Sequence, residues 1–325
     1  MTPEDRLFTP EPPPDPPLEP PKGWDGAVGG GDNGSSRAPR PVLHLALFLA
    51  TLVTTIIAGA IQQGVNPLEA PGLLYKGIPF SFTLLLILGT HEMGHYLVSR
   101  RHHLDATLPY FLPAPPLIYI PFVGFAPLFI IGTFGAFIRI RSPIQDKRAL
   151  LDVGCSGPLT GVLVSIPVIL AGLKLSTVTV MGTGQGLVLG EPLLFQLLSW
   201  LVLGPLGPED LVLLHPVAFA GWIGLLVTAL NLMPVGQLDG GHVSYALFPA
   251  YHRYVSLGCL GLMVVCGLVF SEVWLVWAVL VSFLGFRHPP PYHSWVPLDR
   301  RRRALGFVTI LVFLLTFTPT PIKLG

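Results

Sequence analysis

The sequence predicts an all-α polytopic membrane protein with about seven transmembrane helices and a re-entrant β-like hairpin. Composition and run length predict it. Hydrophobic residues make up 51% of the 325 residues, charged residues only 11%, and the mean hydropathy is +0.65. Ordinary soluble domains carry about 25% charged residues. Several apolar runs approach the ~20 residues that cross a bilayer. A third observation is a cluster of ionisable residues inside one of those runs, where charge is costly and reads as functional. The net charge of +1 leaves no electrostatic footprint for nucleic acid.

Residues 1–41 form a tail rich in Pro and Gly, expected to be disordered and cytoplasmic. Its run TPEPPPDPPLEPPKG favours extended conformations, and GAVGGGDNGSSRAPR reads as flexible linker. It has no apolar region of the kind a signal peptide needs. The first transmembrane helix and an outer loop are expected over 42–77, a core that carries the ionisable cluster over 78–250 and further transmembrane helices over 251–325. The apolar segments are 42–61, 78–99, 150–173, 211–232, 254–271, 273–286 and 304–318. The stretch 115–138 is also apolar. Pro115, Pro116, Pro121 and Pro127, with Gly124, Gly132 and Gly135, break it. Irregular backbone is not tolerated against lipid, so this stretch is expected to fold back against protein. Cys155, Cys259 and Cys266 lie in or beside apolar segments and imply no disulfide framework.

Positive charge orients the spans. Arg37 and Arg40, Arg100 and Arg101, Arg139 to Arg148, Arg253, Arg287 and Arg300 to Arg303 all fall on one side if seven segments alternate. The opposite loops, 62–77 and 174–210, hold only Lys76 and Lys174 as basic residues. The expected placement is a multi-pass protein of the inner (plasma) membrane with its N-terminus in the cytoplasm.

The cluster is His91-Glu92-Met93-Gly94-His95, in which Glu92 is the single formal charge between Ile78 and Ser99. On a helix, positions i and i+4 share a face, so both imidazoles can reach one metal ion. H-E-x-x-H is the pattern that binds Zn2+, with the Glu as general base. This composition would produce it about 0.007 times by chance. Catalytic zinc usually takes three protein ligands. Asp239 is the best candidate for the third, in NLMPVGQLDGG, where Pro234 and Gly236 break a helix that ends near Asn231. Asp239 could instead simply cap the helix that starts near Gly240. One Zn2+ per chain is expected. His102 and His103 read as part of a solvated basic patch. His215 lies about 24 Å along a helix from Asn231, too far to reach the metal. His242 stands near Asp239 and is not promoted to the ligand set. The run 299–303 reads as an anchor facing lipid headgroups.

These residues resemble the site-2 protease family of intramembrane zinc metalloproteases, peptidase family M50. HEMGH (91–95) is similar to its first motif and NLMPVGQLDGG (231–241) to its second. SGPLTG (156–161) is similar to a small-residue motif on the span between them. GTFGAFIRI (132–140) and 215–241 look closest to the branch that includes plant chloroplast membrane proteases and their bacterial relatives. The resemblance covers about 78–250. It implies that His91, His95 and Asp239 ligate zinc, that Glu92 is the catalytic base and that Asn231 binds substrate or stabilises the oxyanion. It also implies that the hairpin at 111–140 receives an extended substrate as an added strand. The implied partners are the lipid bilayer and a membrane-spanning protein substrate cut near the cytoplasmic face. No PDZ-like insertion is visible in 174–210, which argues against the PDZ-bearing branch. The competing readings are a membrane zinc protease acting on lipidated or soluble peptides, and a metal transporter or silent metal-binding scaffold.

Overall fold

The computed structural model describes residues 41–324 except 121–123, 128–130, 181–186, 208–209 and 284–287. The expected N-terminal tail lies outside the described residues up to Arg40.

Helix α1 (Pro41–Gln62) leads through a 3-10 turn (Pro71–Gly77) into α2 (Ile78–Arg101). Four short strands follow: β1 (Tyr110–Pro113), β2 (Leu117–Ile120), β3 (Gly124–Pro127) and β4 (Thr133–Phe137). Helix α3 (Lys147–Lys174) precedes β5 (Thr177–Val180), β6 (Leu187–Leu189), α4 (Leu193–Leu203) and β7 (Asp210–Leu213). The remainder is α5 (Pro216–Asn231), α6 (Asp239–Leu247), α7 (His252–Val269), α8 (Val273–Phe283), α9 (Arg300–Thr316) and β8 (Ile322–Leu324). Among the described residues, four helical stretches are long and apolar enough to cross a membrane: α1, the 3-10 turn with α2, α3 and α7.

The chain is thus mainly helical, with four two-stranded antiparallel ladders: β1–β4 and β2–β3 fall in the segment expected to be β-like, and β5–β7 and β6–β8 lie outside it. β1 pairs with β4 (Tyr110 opposite Phe137), β2 with β3 (Leu117 opposite Pro127), β5 with β7 (Thr177 opposite Leu213) and β6 with β8 (Leu189 opposite Ile322). The β1–β4 register slips between Leu112 and Pro113, next to the residue that has no N–H to give the ladder. The apolar segment at 211–232 differs from its expectation. It begins as strand β7 and turns helical at Pro216, whose fixed φ suits the first position of a helix. The loop at 174–210 holds β5, β6 and α4, an apolar helix bounded by Pro192 and Gly204.

Helix α3 is the centre of the packing and touches α2, α4, α5, α6 and α9. Asp146 starts it, its Oδ1 accepting from the Ala149 N–H at 2.8 Å. Pro158 and Pro167 lie within it, tolerated where neighbouring helices satisfy the freed carbonyls. The main core joins Leu84 and Leu88 of α2, Ile169 and Leu173 of α3, and Trp222 and Ile223 of α5. A second core gathers Met233, Met263 and Trp274. A third joins Leu150, Leu151 and Cys155 of α3 to Val243 of α6 and to Leu298. The three cysteines are free.

Candidate metal centre

The fold brings two distant pieces of sequence to one point. Helix α2 stacks His91 and His95 one turn apart, with ring centroids 4.9 Å from each other. The chain then leaves α5 at Asn231, turns through Pro234 and Gly236, and re-enters a helix at Asp239. Leu238, not Asp239, is the N-cap of α6, and it makes no side-chain cap. The carboxylate is therefore free of capping and turns to the imidazoles. Asp239 Oδ2 lies 3.4 Å from His91 Nε2 and 3.2 Å from His95 Nε2, and the two Nε2 atoms are 3.2 Å apart. The three groups offer ligand atoms within 4.8 Å of one another, and both histidines are buried. Two imidazole nitrogens and one carboxylate oxygen converging on one point are a donor set that suits a divalent metal and leaves a position open.

Several neighbours fix this geometry. His95 Nδ1 is 2.9 Å from the Val153 carbonyl, which leaves Nε2 facing Asp239. Asn231 Nδ2 is 3.3 Å from His91 Nε2. Glu92 is buried on α2, and the Ile138 backbone N–H, just beyond β4, lies near its carboxylate. Helices α2 and α3 approach closely because both lack side chains at the contact. A Cβ on Gly157 would collide with the His95 ring, and one on Gly94 would sit 2.7 Å from the Ser156 carbonyl. Thr160 Oγ1 ties the pair by donating to the Thr90 carbonyl at 3.1 Å. The SGPLTG stretch thus acts as the bed on which both imidazoles lie.

The remaining histidines go elsewhere. His215 caps α5, its Nδ1 accepting from the Val217 N–H at 3.3 Å. His242 Nδ1 bonds the Leu238 carbonyl at 2.8 Å and its ring meets that of His288. His102 differs from the solvated patch expected of it. Its Nε2 is 2.9 Å from Asp152 Oδ2, and Arg302 grips the same carboxylate through Nε at 3.0 Å and Nη2 at 2.8 Å. Arg302 Nη1 also holds Asp299 Oδ2 at 2.6 Å. The Arg302 backbone N–H and guanidinium keep the Asp299 carboxyl low, at about 2. This clasp joins the end of α2, the start of α3 and the start of α9. Sequence reasoning missed it because its members lie 50 and 150 positions apart.

Comparison with known proteins is consistent with this centre. The sequence profile of peptidase family M50 matches residues 79–270, more than half of the chain. The chain belongs to peptidase family M50. The M50 match takes in His91, Glu92, His95, Asn231 and Asp239. Similar relatives carry metalloprotease names. The probable zinc metalloprotease EGY1, chloroplastic, of Arabidopsis thaliana is 30% identical over 311 residues, covering 86% of this chain and 53% of its own. Its Arabidopsis counterpart EGY2 is 29% identical over 77% of this chain and 43% of its own. EGY2 of Oryza sativa subsp. indica is 30% identical over 77% and 44%. The chain spans about half the length of these curated relatives. No solved structure matches it.

Proposed function

We propose that this chain is an intramembrane zinc metalloendopeptidase that hydrolyses membrane-spanning substrates near the cytoplasmic face. The observation that carries the reading is the convergence of His91, His95 and Asp239 within 4.8 Å, beside the buried Glu92, at the meeting of apolar helices. The three would hold one Zn2+. When bound, the metal supplies Lewis acidity that acidifies water and polarises a carbonyl. Glu92 takes the proton from the attacking water and passes it to the leaving amine. Asn231 Nδ2 donates to the substrate carbonyl as negative charge develops there.

A helical substrate hides its peptide bonds in its own hydrogen bonds, so it must unwind first. The β1–β4 ladder suits this need. Among the described residues, β4 pairs on one edge only, and the chain just beyond it passes near Glu92. An extended substrate strand added there brings its carbonyls to the catalytic carboxylate. The hairpin 111–140 is accordingly read as re-entrant.

Seven crossings with a cytoplasmic N-terminus, in an inner (plasma) membrane, complete the proposal, with 78–250 as the catalytic core. Two contacts support the alternation. The basic ends of α2, α3 and α9 meet in the Arg302 clasp, and β8 pairs with β6 from the opposite loop. The test is Glu92→Gln. Metal content and fold should persist while a membrane-spanning substrate accumulates uncut in comparative membrane proteomics. Proteolysis that continues in the variant rejects the mechanism, and metal flux in vesicles would favour transport instead.

A further inference from the structure

Beneath the C-terminal end of α6 lies a cavity of about 330 Å³, lined by Lys147, Leu247, Phe248, Leu298, Arg303 and Phe307 among others. Its charged lining is cationic only. Lys147 is the first residue of α3 and Arg303 the fourth of α9. Neither has an ion-pair partner among the described residues. Their sequence neighbours are engaged structurally. Arg148 Nε donates to the Pro297 carbonyl at 3.0 Å, and Arg302 is held by Asp152 and Asp299. Two cations therefore stand unpaired in the first turns of two helices, where the macrodipole disfavours positive charge. The Asp146 and Asp299 carboxylates are committed to capping those helices, and Asp299 to Arg302.

The rest of the lining is apolar. The Phe248 and Phe307 rings meet edge-on with centroids 6.3 Å apart, and the side chains are 38% and 55% exposed. A free anion has no use for that wall, and a neutral apolar molecule has no use for the two cations. The neighbouring cavity of about 690 Å³ makes the contrast. Asp152 and Asp299 share its lining with Arg300, Arg301 and Arg302, so its charge is largely balanced.

We propose that the Lys147–Arg303 cavity binds an anionic phospholipid, with the phosphate between the two cations and an acyl chain along Phe248 and Phe307. The position has a consequence for the metal centre, which rests on the proposed function. Leu247 packs on Gly306 of α9 and ends the short helix that Asp239 begins. A lipid seated on Leu247 and Phe248 braces the element that holds the third donor group.

The experiment uses the purified full chain in detergent, titrated separately with dioleoylphosphatidylglycerol, dioleoylphosphatidylcholine and inorganic phosphate, and read by native mass spectrometry. A cation near the headgroup plane contributes about fivefold in affinity. Lys147→Gln with Arg303→Gln should therefore weaken retention of the anionic lipid about 30-fold. Arg300→Gln with Arg301→Gln removes the same formal charge outside the cavity and should leave retention close to wild type. The choline lipid should bind more weakly than the anionic lipid, and inorganic phosphate should fail to displace it at equal concentration. Equal loss in both double variants, equal retention of the two lipids, or tight binding of inorganic phosphate alone would each overturn the proposal. Glu92→Gln should retain the lipid as wild type does, which separates this site from any failure of the proteolytic reading.

Discussion

Two clusters in this protein join a histidine to an aspartate across helices, and they end differently. In the clasp, Asp152 receives His102 from α2 and two nitrogens of Arg302 from α9. Both carboxylates meet the one guanidinium, Asp299 taking its Nη1. In the metal centre, Asp239 faces two imidazoles and, among the described residues, no Lys or Arg completes it. The clasp closes its valences within the protein. The metal centre gathers donor atoms around a point and stops. A polar cluster built for holding satisfies its own groups, and one built for chemistry leaves a position for something else.

The sharpest way to break that contrast is to treat both aspartates alike. Asp239→Ala should lower metal affinity by more than about 100-fold, beyond what losing an outer-shell partner costs. Metal titration with helicity followed by circular dichroism reads it. Asp152→Ala in the same assay should leave the metal in place. Equal behaviour of the two variants would make Asp239 another structural carboxylate. Next in size is Arg302→Met, which removes the guanidinium from the partly buried Asp152. It should cost about 1–3 kcal/mol, since hydrogen bonds to a charged group are involved and the group keeps some water. Thermal unfolding should shift down while metal content holds. Metal loss in this variant would show that the two clusters act as one.

The smallest expected effect concerns a group of histidines packed ring against ring with Tyr245. His288 stacks on Tyr245 and meets the rings of His242 and His252. Its Nε2 is buried without a partner among the described residues. Burial, with the nearby His242 and His252, pushes its pKa down to about 4. The unfolded chain takes up this proton near pH 6.5, so between those values it binds more protons than the folded one. Stability present above pH 6.5 should therefore decline as pH falls towards 4. His288→Gln should flatten that slope in thermal melts across the same range. An unchanged slope would remove His288 from the account.

The legibility of the two clusters in sequence follows their spacing. His91, Glu92 and His95 are readable because one helical turn converts a pentapeptide into a face. Asp239 is readable as an acid in an apolar context beside a helix break. Its place as the first residue of α6, rather than its cap, is not. That depends on how the turn at Pro234 and Gly236 re-enters the bundle. The clasp is invisible because Arg302 and His102 each look like ordinary interfacial charge until the helices are assembled. The ladders β5–β7 and β6–β8 were equally hidden, since strands of three or four residues carry no period of their own and their partners lie far apart in sequence. Helix α4 escaped as an apolar run too short to suggest a span.

The pairing of β6 with β8 sets a timetable for synthesis. Leu187–Leu189 leaves the ribosome long before Ile322–Leu324, and α4 to α9 are made in between. Until the last of these emerges, β6 has an open edge, the arrangement most prone to pairing with the wrong chain. A stop codon or fusion junction placed ahead of Ile322 would leave that edge open permanently. Its first symptom should be aggregation during biogenesis, with the metal centre itself untouched.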